Sequence, residues 1–197
     1  MLEKADVAVV SLDVDAAPLR ALLSPDERER AARFVFHEHR RRFIVARARL
    51  RQLLGARLGV GAETIAFRYA PAGKPALAAS RRDLRFNLAH CGDVAVYAFA
   101  DGCEVGVDVE RERAIEDAEA IAERVFSPAE RDACRARGFL YCWTRKEAFV
   151  KALGSGLSYP LTELDVSAAP QGWSVRSFVP HPGLIGAVAV QEQVRTH

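Results

Sequence analysis

The chain has 197 residues, of which 50% are hydrophobic and 27% are charged, and its formal net charge is +2. This composition is typical of a soluble globular protein with one sizeable core or two small domains. It contains no apolar run of about 18 residues, so no transmembrane helix is predicted. The charged first six residues do not resemble a signal peptide, and the four cysteines form no CxxC pair. We therefore expect a cytoplasmic protein with free thiols.

The first half of the chain alternates strand and helix signals. Ser24-Pro25-Asp26-Glu27 is a capping box with proline at the first helical position. A short helix should follow to about residue 34, and a longer one should run over 38–58 and end at Gly59. The other predicted elements are strands over 6–12, 64–69, 84–89 and 94–100, and a turn over 70–75.

The second half repeats this order of elements. A second capping box begins at Ser127, 103 positions after Ser24, and again reads Ser-Pro-x-Glu-Arg. The other predicted elements are a strand over 104–110, helices over 118–124 and 139–153, and short strands near 164–166, 173–178 and 185–190. We therefore predict an α+β fold. Two similar α/β halves, 1–101 and 102–197, should be related by a pseudo-two-fold axis with a ligand site between them.

One predicted helix and one predicted strand carry the acidic residues of interest. Glu147 and Lys151 lie four residues apart and share one face of the 139–153 helix. Asp108 and Glu110 share one face of the 104–110 strand, and valines occupy the other face. Carboxylates from a strand and a helix can hold a hard divalent cation, and a lysine one turn further can serve a phosphate. We therefore predict that this helix packs against this strand.

Each of these features also has an ordinary interpretation. Glu147 followed by Lys151 is a common surface ion pair that contributes roughly 0.2–0.5 kcal/mol. Asp108 and Glu110 are compatible with the solvated face of a half-buried strand. Their occurrence together is what favours a functional site.

The basic residues are unevenly distributed. Residues 28–57 contain ten arginines and only two glutamates, a block that suits a polyanion or a solvated helix whose arginine stems cover apolar surface. No aromatic-rich strand or nucleic-acid-binding motif accompanies it, so nucleic acid is not an expected partner. Only four of the 28 basic residues are lysines, and Lys74, Lys146 and Lys151 fall in the candidate stretches. Lysine in those places suggests a need for a titratable point charge.

Several motifs in a fixed order carry a family resemblance. They are Gly73-Lys74-Pro75, Phe86-Asn87-Leu88-Ala89-His90, Gly106-Val107-Asp108-Val109-Glu110, Phe126-Ser127-Pro128-Ala129-Glu130, Trp143-Thr144-Arg145-Lys146-Glu147 with Lys151, and Gly154-Ser155-Gly156-Leu157-Ser158. Over residues 24–161 the chain resembles the 4′-phosphopantetheinyl transferases, specifically the two-domain kind that activates peptide and polyketide synthases. Gly-[Ile/Val]-Asp-[Ile/Val]-Glu followed by Trp-x-x-Lys-Glu-x-x-x-Lys is a specific combination, although each piece alone is weak.

The resemblance implies an enzyme that moves the phosphopantetheine arm of coenzyme A onto a serine of an acyl or peptidyl carrier protein. Magnesium would assist and 3′,5′-ADP would leave. The implied metal ligands are Asp108, Glu110 and Glu147. The implied catalytic residues are Asp108, Glu147 and Lys151, the last lying near the pyrophosphate. The implied coenzyme A contacts are Lys74 and His90 at its phosphates, Pro75, Asn87, Arg47 and Lys151, with Arg42 and Arg30 as looser matches.

The chemistry of the implied reaction suits these residue types. Magnesium prefers oxygen ligands, and a serine needs a base to become a nucleophile. Glu147, directly or through water, is the candidate base, and Lys151 can stabilise or protonate the leaving phosphate. The chain departs from the family at Ala89 and Cys91, where many members carry serines. Hydroxyl contacts to phosphate are therefore not expected there, although backbone N–H groups could serve.

Two other functions fit parts of the same pattern. A coenzyme A- or nucleotide-binding protein without turnover would need the basic residues but not a cation and a base together. A metal-dependent phosphohydrolase would use the same carboxylates on water. For the transferase, we expect an acidic carrier protein of polyketide or nonribosomal peptide biosynthesis as the partner, no membrane, and a monomer, because two halves in one chain already supply a paired surface.

Overall fold

A computed structural model describes residues 5–71, 73–79, 82–154 and 160–192 of the chain. Its first half contains a three-stranded antiparallel sheet of order β1-β5-β4 and a separate hairpin of β2 and β3. The elements of this half are β1 (Asp6–Ser11), α1 (Pro25–Ala32), α2 (His37–Leu58), β2 (Phe67–Tyr69), β3 (Pro75–Leu77), β4 (Leu84–Cys91) and β5 (Val94–Asp101).

The second half repeats this arrangement. Its antiparallel sheet has the order β6-β8-β7, so the last strand of each half is central and the first strand of each half is an edge. The elements are β6 (Val105–Arg111), α3 (Ala118–Val125), α4 (Pro128–Arg137), α5 (Phe139–Leu153), β7 (Trp173–Phe178) and β8 (Leu184–Gln191). The prediction of an α+β fold with two similar halves is confirmed.

Both predicted capping boxes form, and each has a second function in packing. Glu27 caps α1 and also accepts from the buried Arg51 of α2, at 2.7 Å. Glu130 caps α4 and also accepts from the buried Lys146 of α5, at 2.6 Å. A buried carboxylate needs a partner to offset its desolvation. The capping glutamate therefore fixes the following long helix in each half.

Two apolar clusters pack a helix on the sheet of its own half, and a third joins the two halves. Leu50 and Leu54 of α2 pack on the first sheet together with Tyr97, whose hydroxyl donates to the Ala46 carbonyl at 2.9 Å. Phe149 of α5 packs on the second sheet. A third cluster joins the sheets through small and branched residues: Ala89, Val96 and Ala98 from the first half, and Val105, Val107, Val109 and Val188 from the second. The valine face of β6 thus lies against the first half, which leaves its other face for α5.

Three sequence predictions about strands differ from the structure. Residues 75–77 form β3, which pairs with β2, whereas only a turn was expected over 70–75; the predicted strand over 64–69 is shortened to β2 by a 3₁₀ turn at Ala62–Thr64. Residues 164–166 are not a strand. Their backbone groups bond to buried side chains instead: Arg145 donates to the Val166 carbonyl at 3.0 Å, and Val166 N–H donates to Glu130 at 3.1 Å.

No helix within the described ranges is long and apolar enough to cross a membrane.

Candidate active site

The close contact between β6 and α5 depends on Gly106. A Cβ atom built at this position would lie 2.0 Å from the Ala148 carbonyl oxygen and 2.4 Å from the Ala152 nitrogen, both backbone atoms of α5. Any side chain here would push the helix away from the strand, because backbone cannot move aside as a flexible side chain can. The predicted packing of this helix on this strand is confirmed, and the glycine before the acidic pair is the residue that permits it.

This contact brings Asp108 and Lys151 together. Lys151 Nζ donates to Asp108 Oδ1 at 2.6 Å, and the Asp108 side chain is only 8% exposed whereas that of Lys151 is 32% exposed. Asp108 is therefore not on the solvated face of a half-buried strand, and the ordinary interpretation of this residue is wrong. The described partner of Lys151 is Asp108, which lies 43 residues away on β6. Lys151 is therefore more than the partner of Glu147 in an ion pair on the surface of α5.

Glu147 and Glu110 lie close enough to Asp108 for their charges to interact. Burial, and then the neighbouring charges of Asp108 and Glu110, raise the pKa of Glu147 above its ordinary value, although Lys151 opposes this. Burial and the charge of Asp108 likewise raise the pKa of Glu110. Three carboxyl groups that repel one another at a partly buried position are typical of a functional site.

The donor chemistry of this cluster fits a partly protein-bound magnesium ion. Oδ2 of Asp108 and Oε1 of Glu147 are buried and have no hydrogen-bond partner within the described part of the chain, which is an unusual state for a carboxylate oxygen. No three histidine, cysteine, aspartate or glutamate side chains among the described residues lie close enough to hold a metal by themselves. Magnesium commonly takes one or two protein carboxylates together with water and substrate phosphate oxygens, and Asp108 and Glu147 suit that role.

His90 lies near two of the predicted cations, Arg42 and Lys151. Partial desolvation, and then the charges of Arg42 and Lys151, lower its pKa below the ordinary value for histidine. His90, Arg42 and Lys151, three of the predicted ligand-binding residues, are therefore close enough for their charges to interact. The His90 side chain is exposed and so is available to a ligand. Arg42 donates to both carboxylate oxygens of Asp93, at 2.9 and 3.1 Å, in a bidentate pair.

Lys74 lies at the C-terminal end of α5. Its Nζ donates to Glu104 Oε2 at 2.9 Å and to the Ala152 carbonyl at 2.8 Å, which is one residue beyond Lys151. Pro75 follows as the first residue of β3, opposite Tyr69. The structure therefore brings Lys74, from the first half, to the helix that carries Glu147 and Lys151.

Two residues of the predicted coenzyme A site are committed to other contacts. Asn87 is buried, and its Oδ1 accepts from the backbone N–H of Val107 at 3.0 Å, which ties β4 to β6. Arg47 is buried beside Glu27, with an N–O distance of 3.7 Å, and its guanidinium lies over the Phe43 and Phe67 rings at 5.8 and 5.6 Å. Their predicted contacts with coenzyme A stay predictions.

Arg30 lies on α1, on the exposed side of this aromatic cluster. Its guanidinium is 5.3 Å from the centroid of the Phe43 ring, which is also contacted by Arg47. An exposed arginine beside a ring can still turn towards an anion, because its planar head has several free donors.

Lys146 is a structural residue. It is fully buried, and its three N–H groups are shared among four oxygens within hydrogen-bond distance: Glu130 Oε2 at 2.6 Å, and the carbonyls of Val125, Leu161 and Leu164. Of the three lysines in the candidate stretches, this one is therefore unavailable to a substrate. Gly154 closes α5 in the left-handed conformation expected of a helix stop, and the rest of the motif that begins there, residues 155–158, lies outside the described residues.

Sequence reasoning missed Glu104 and the structural importance of Gly106. Glu104 contacts Lys74 and also Arg85, at 3.1 Å. The only signal in the sequence was its position directly before the strand motif. This signal is weak, because a charged residue at the end of a strand is usually solvated.

Comparison with known proteins supports the class of protein that this geometry suggests. The family model of the 4′-phosphopantetheinyl transferase superfamily matches residues 104–182. A second model, 4′-phosphopantetheinyl transferase, N-terminal, matches residues 15–101. One matched region lies in each half, and of the described strands only β1 and β8 fall outside them.

Individual relatives agree with the family models. The chain is 37% identical over 190 residues to 4′-phosphopantetheinyl transferase HetI of Nostoc sp., with 87% of this chain and 80% of that protein covered. It is 33% identical to 4′-phosphopantetheinyl transferase psf-1 of Bacillus pumilus, covering 78% and 67%. It is 30% identical to 4′-phosphopantetheinyl transferase Sfp of Bacillus subtilis, covering 77% and 69%. The chain belongs to the 4′-phosphopantetheinyl transferase superfamily and is a transferase enzyme.

Proposed function

We propose that this chain transfers the 4′-phosphopantetheine group of coenzyme A to a serine of an acyl or peptidyl carrier protein, with release of 3′,5′-ADP and dependence on magnesium. The observation that carries the proposal is the arrangement at the β6–α5 contact. There, two carboxylates with orphaned buried oxygens, Asp108 and Glu147, lie beside the cation Lys151. A protein that only binds coenzyme A does not need carboxylates for a metal ion and a general base beside the lysine.

Different residues would bind the coenzyme phosphates, accept the serine proton and stabilise the leaving group. Arg42 and Lys74 supply positive charge around the coenzyme phosphates, with Arg30 and Arg47 as further candidates. His90, whose pKa is lowered, offers those phosphates a ring N–H as a hydrogen-bond donor. Glu147, whose pKa is raised by burial, is suited to accept the proton of the attacking serine, because a base works best when its pKa lies near the working pH. Lys151 stabilises the charge that develops on the departing phosphate.

A bound magnesium would neutralise charge on the pyrophosphate as the phosphoanhydride bond breaks. Asp108 and Glu147 would hold it through their orphaned oxygens, and Glu110 is the third proposed ligand. Asp108 already pairs with Lys151, so this aspartate orients the lysine as well as offering its free Oδ2.

The proposal also covers the domain division, the acceptor protein, the location and the oligomeric state. We propose a division of the chain at residues 101 and 102, with coenzyme A contacts supplied mainly by the first half and the metal and catalytic residues by the second. An acidic carrier protein of polyketide or nonribosomal peptide synthesis is the proposed acceptor, since the chain presents exposed arginines. A cytoplasmic monomer is the proposed working form.

The test is transfer to a purified carrier protein with coenzyme A and magnesium, followed by mass spectrometry of the intact carrier. The proposed transferase adds the mass of phosphopantetheine to the carrier and releases one 3′,5′-ADP for each group added. Binding of coenzyme A with no mass change would instead favour a binding protein. Phosphate release or hydrolysis of coenzyme A without modification of the carrier would favour a phosphohydrolase.

A further inference from the structure

Glu104 lies at the start of β6 between two cations from the first half. Its Oε2 accepts from Lys74 Nζ at 2.9 Å, and its Oε1 lies 3.1 Å from Arg85 Nη1. Both contacts join residues from opposite halves of the chain. The carboxylate charge of Glu104 is therefore shared by two cations, of which Arg85 also donates to Asp83 at 2.7 Å.

Lys74 is held in one place by this arrangement. Its second acceptor is the carbonyl of Ala152, at 2.8 Å, and its side chain is only 18% exposed. The methylene stem lies over the end of α5, because a Cβ at Gly154 would come within 3.4 Å of Lys74 Cδ. The negative end of the α5 dipole and the Glu104 carboxylate therefore act on the same ammonium group.

A lysine side chain is costly to immobilise, since it loses up to about 2 kcal/mol of rotamer entropy when it is ordered. An ammonium that is ordered before a ligand arrives avoids part of that cost during binding. Glu104 and the Ala152 carbonyl together provide this ordering beside Lys151, whereas the helix carbonyl alone is a single neutral acceptor.

We infer that Glu104 is a positioning residue of the active site, which orders Lys74 at the C-terminal end of α5 so that its ammonium can receive an anionic phosphate of the co-substrate. This inference rests on the proposed function. It assigns a task to a residue outside the predicted site and makes the Lys74 contribution depend on the second half of the chain.

The experiment compares wild type with Glu104→Gln, Glu104→Asp, Lys74→Met and the double variant Glu104→Gln/Lys74→Met. The Kd of coenzyme A is measured by titration calorimetry, and KM and kcat by carrier modification. Glu104→Gln should raise both the Kd and the KM for coenzyme A by about three- to fivefold, the range for one partly exposed ion pair. It should leave kcat within about twofold. Glu104→Asp should restore part of the affinity.

The double variant tests whether Glu104 acts through Lys74. If it does, Glu104→Gln should add nothing to the loss caused by Lys74→Met, since interacting residues are not additive. The matched control is Asp83→Asn, which removes another carboxylate bonded to Arg85, at 2.7 Å. It should leave the Kd and the KM unchanged.

Several outcomes would overturn the inference. They are an unchanged or tighter Kd in Glu104→Gln, full additivity in the double variant, or an equal effect of Asp83→Asn. A fall in kcat accompanied by a lower Tm and no change in Kd would assign Glu104 a structural role only. If wild type binds coenzyme A but modifies no carrier, the proposed function fails, while the Kd comparison still decides the task of Glu104.

Discussion

Lys151 and Asp108 show how the chemistry of this site depends on single side chains. Lys151 donates to a nearly buried carboxylate oxygen at 2.6 Å, while the second oxygen of Asp108 has no described partner. A pair of this kind gives the lysine a defined direction and leaves the aspartate able to bind another cation. The two residues are therefore the most informative positions for mutation.

Replacement of Lys151 separates its charge from its proton. Arginine keeps the charge but is longer, planar and effectively never deprotonated, so Lys151→Arg should reduce the single-turnover rate tenfold or more, equivalent to about 1.4 kcal/mol of barrier. Coenzyme A binding should change less, and Lys151→Ala should lose more rate. The measurement is single-turnover transfer at saturating coenzyme A over a range of pH.

Arg135→Lys on α4 is the control, because it exchanges the same two residue types at an exposed ion pair and should be silent. A full rate for Lys151→Arg at every pH would exclude proton donation. A full rate for Lys151→Ala as well would reduce this lysine to an ion-pair partner.

Asp108→Ala tests the proposed metal site. It should remove most of the transfer activity at saturating magnesium, because the orphaned Oδ2 and the orientation of Lys151 are lost together. The Tm should change little, since removing one carboxylate relieves repulsion of Glu147 and Glu110. Glu112→Ala, which removes an exposed acid just after β6, is the control. Equal transfer rates for wild type and Asp108→Ala would contradict the assignment.

At the scale of elements, the site exists because α5 lies directly on β6. Gly106 permits this approach on one side, and the buried Lys146 fixes the helix on the other by donating to Glu130 and to carbonyls at the end of α3 and near residues 161–164. The helix is therefore anchored independently of Glu147 and Lys151, the proposed catalytic residues that it carries.

Gly106→Ala should disturb both stability and rate. The added methyl group would meet backbone atoms at 2.0 and 2.4 Å, and overpacking of this kind typically costs about 1–3 kcal/mol. For a chain of this length, that corresponds to a fall in Tm of about 2–12 °C. The value of kcat should fall as well, because Glu147 and Lys151 move away from Asp108.

The control for this variant is Gly59→Ala at the end of α2, where φ is +69° and where, apart from the helix itself and the adjacent residues, no atom of the described residues lies within 4 Å of the added Cβ. It should cost only backbone strain of about 1–2 kcal/mol and leave kcat intact. A Gly106→Ala protein with the stability and rate of wild type would show that the helix does not depend on this close approach.

At the scale of the whole molecule, two halves of the same topology carry different charged residues. The second half carries Asp108 on β6 and Glu147 on α5, whereas β1 has no acidic residue after Asp6 and α2 has none after Glu38. The first half contributes cations instead. Part of its arginine block already has partners within the protein: Arg51 and Arg47 are buried, and Arg41 and Arg42 pair with Asp93.

This asymmetry predicts a monomer with a single active site. Light scattering should give the mass of one chain, and titration should give one tightly bound coenzyme A for each chain, since the first half lacks the carboxylates of a second site. An obligate trimer, or two tight coenzyme sites for each chain, would contradict this expectation.

Electrostatic attraction should contribute to recognition of the carrier protein. If the acceptor is acidic, raising the salt concentration from low to moderate should raise the KM for the carrier, because exposed charges are screened over about 10 Å at 0.1 M salt. The value of kcat at saturating carrier should stay constant in the same series. If the KM for the carrier does not change with salt concentration, electrostatic attraction does not contribute to recognition of the carrier.

Local signals in the sequence were sufficient for much of this fold. Both capping boxes, the α5 range, the glycine stops of α2 and α5, and the alternation of valines with Asp108 on β6 follow from interactions within a few residues. The order of elements also revealed the two halves. The site residues Asp108, Glu147 and Lys151 were predicted from their spacing on one strand and one helix and from the family resemblance, because such residues must be close to act together.

Tertiary structure decided which partner each polar side chain has. Lys151 pairs with Asp108, which is 43 residues away, and Lys74 pairs with Glu104 and Ala152, 30 and 78 residues away. Lys146, adjacent to Glu147 in the same motif, points into the core, and residues 164–166 give their backbone bonds to Arg145 and Glu130 rather than to a strand. Such outcomes depend on which face of an element is buried and what lies opposite it, and local periodicity carries no information about contacts between residues far apart in the chain.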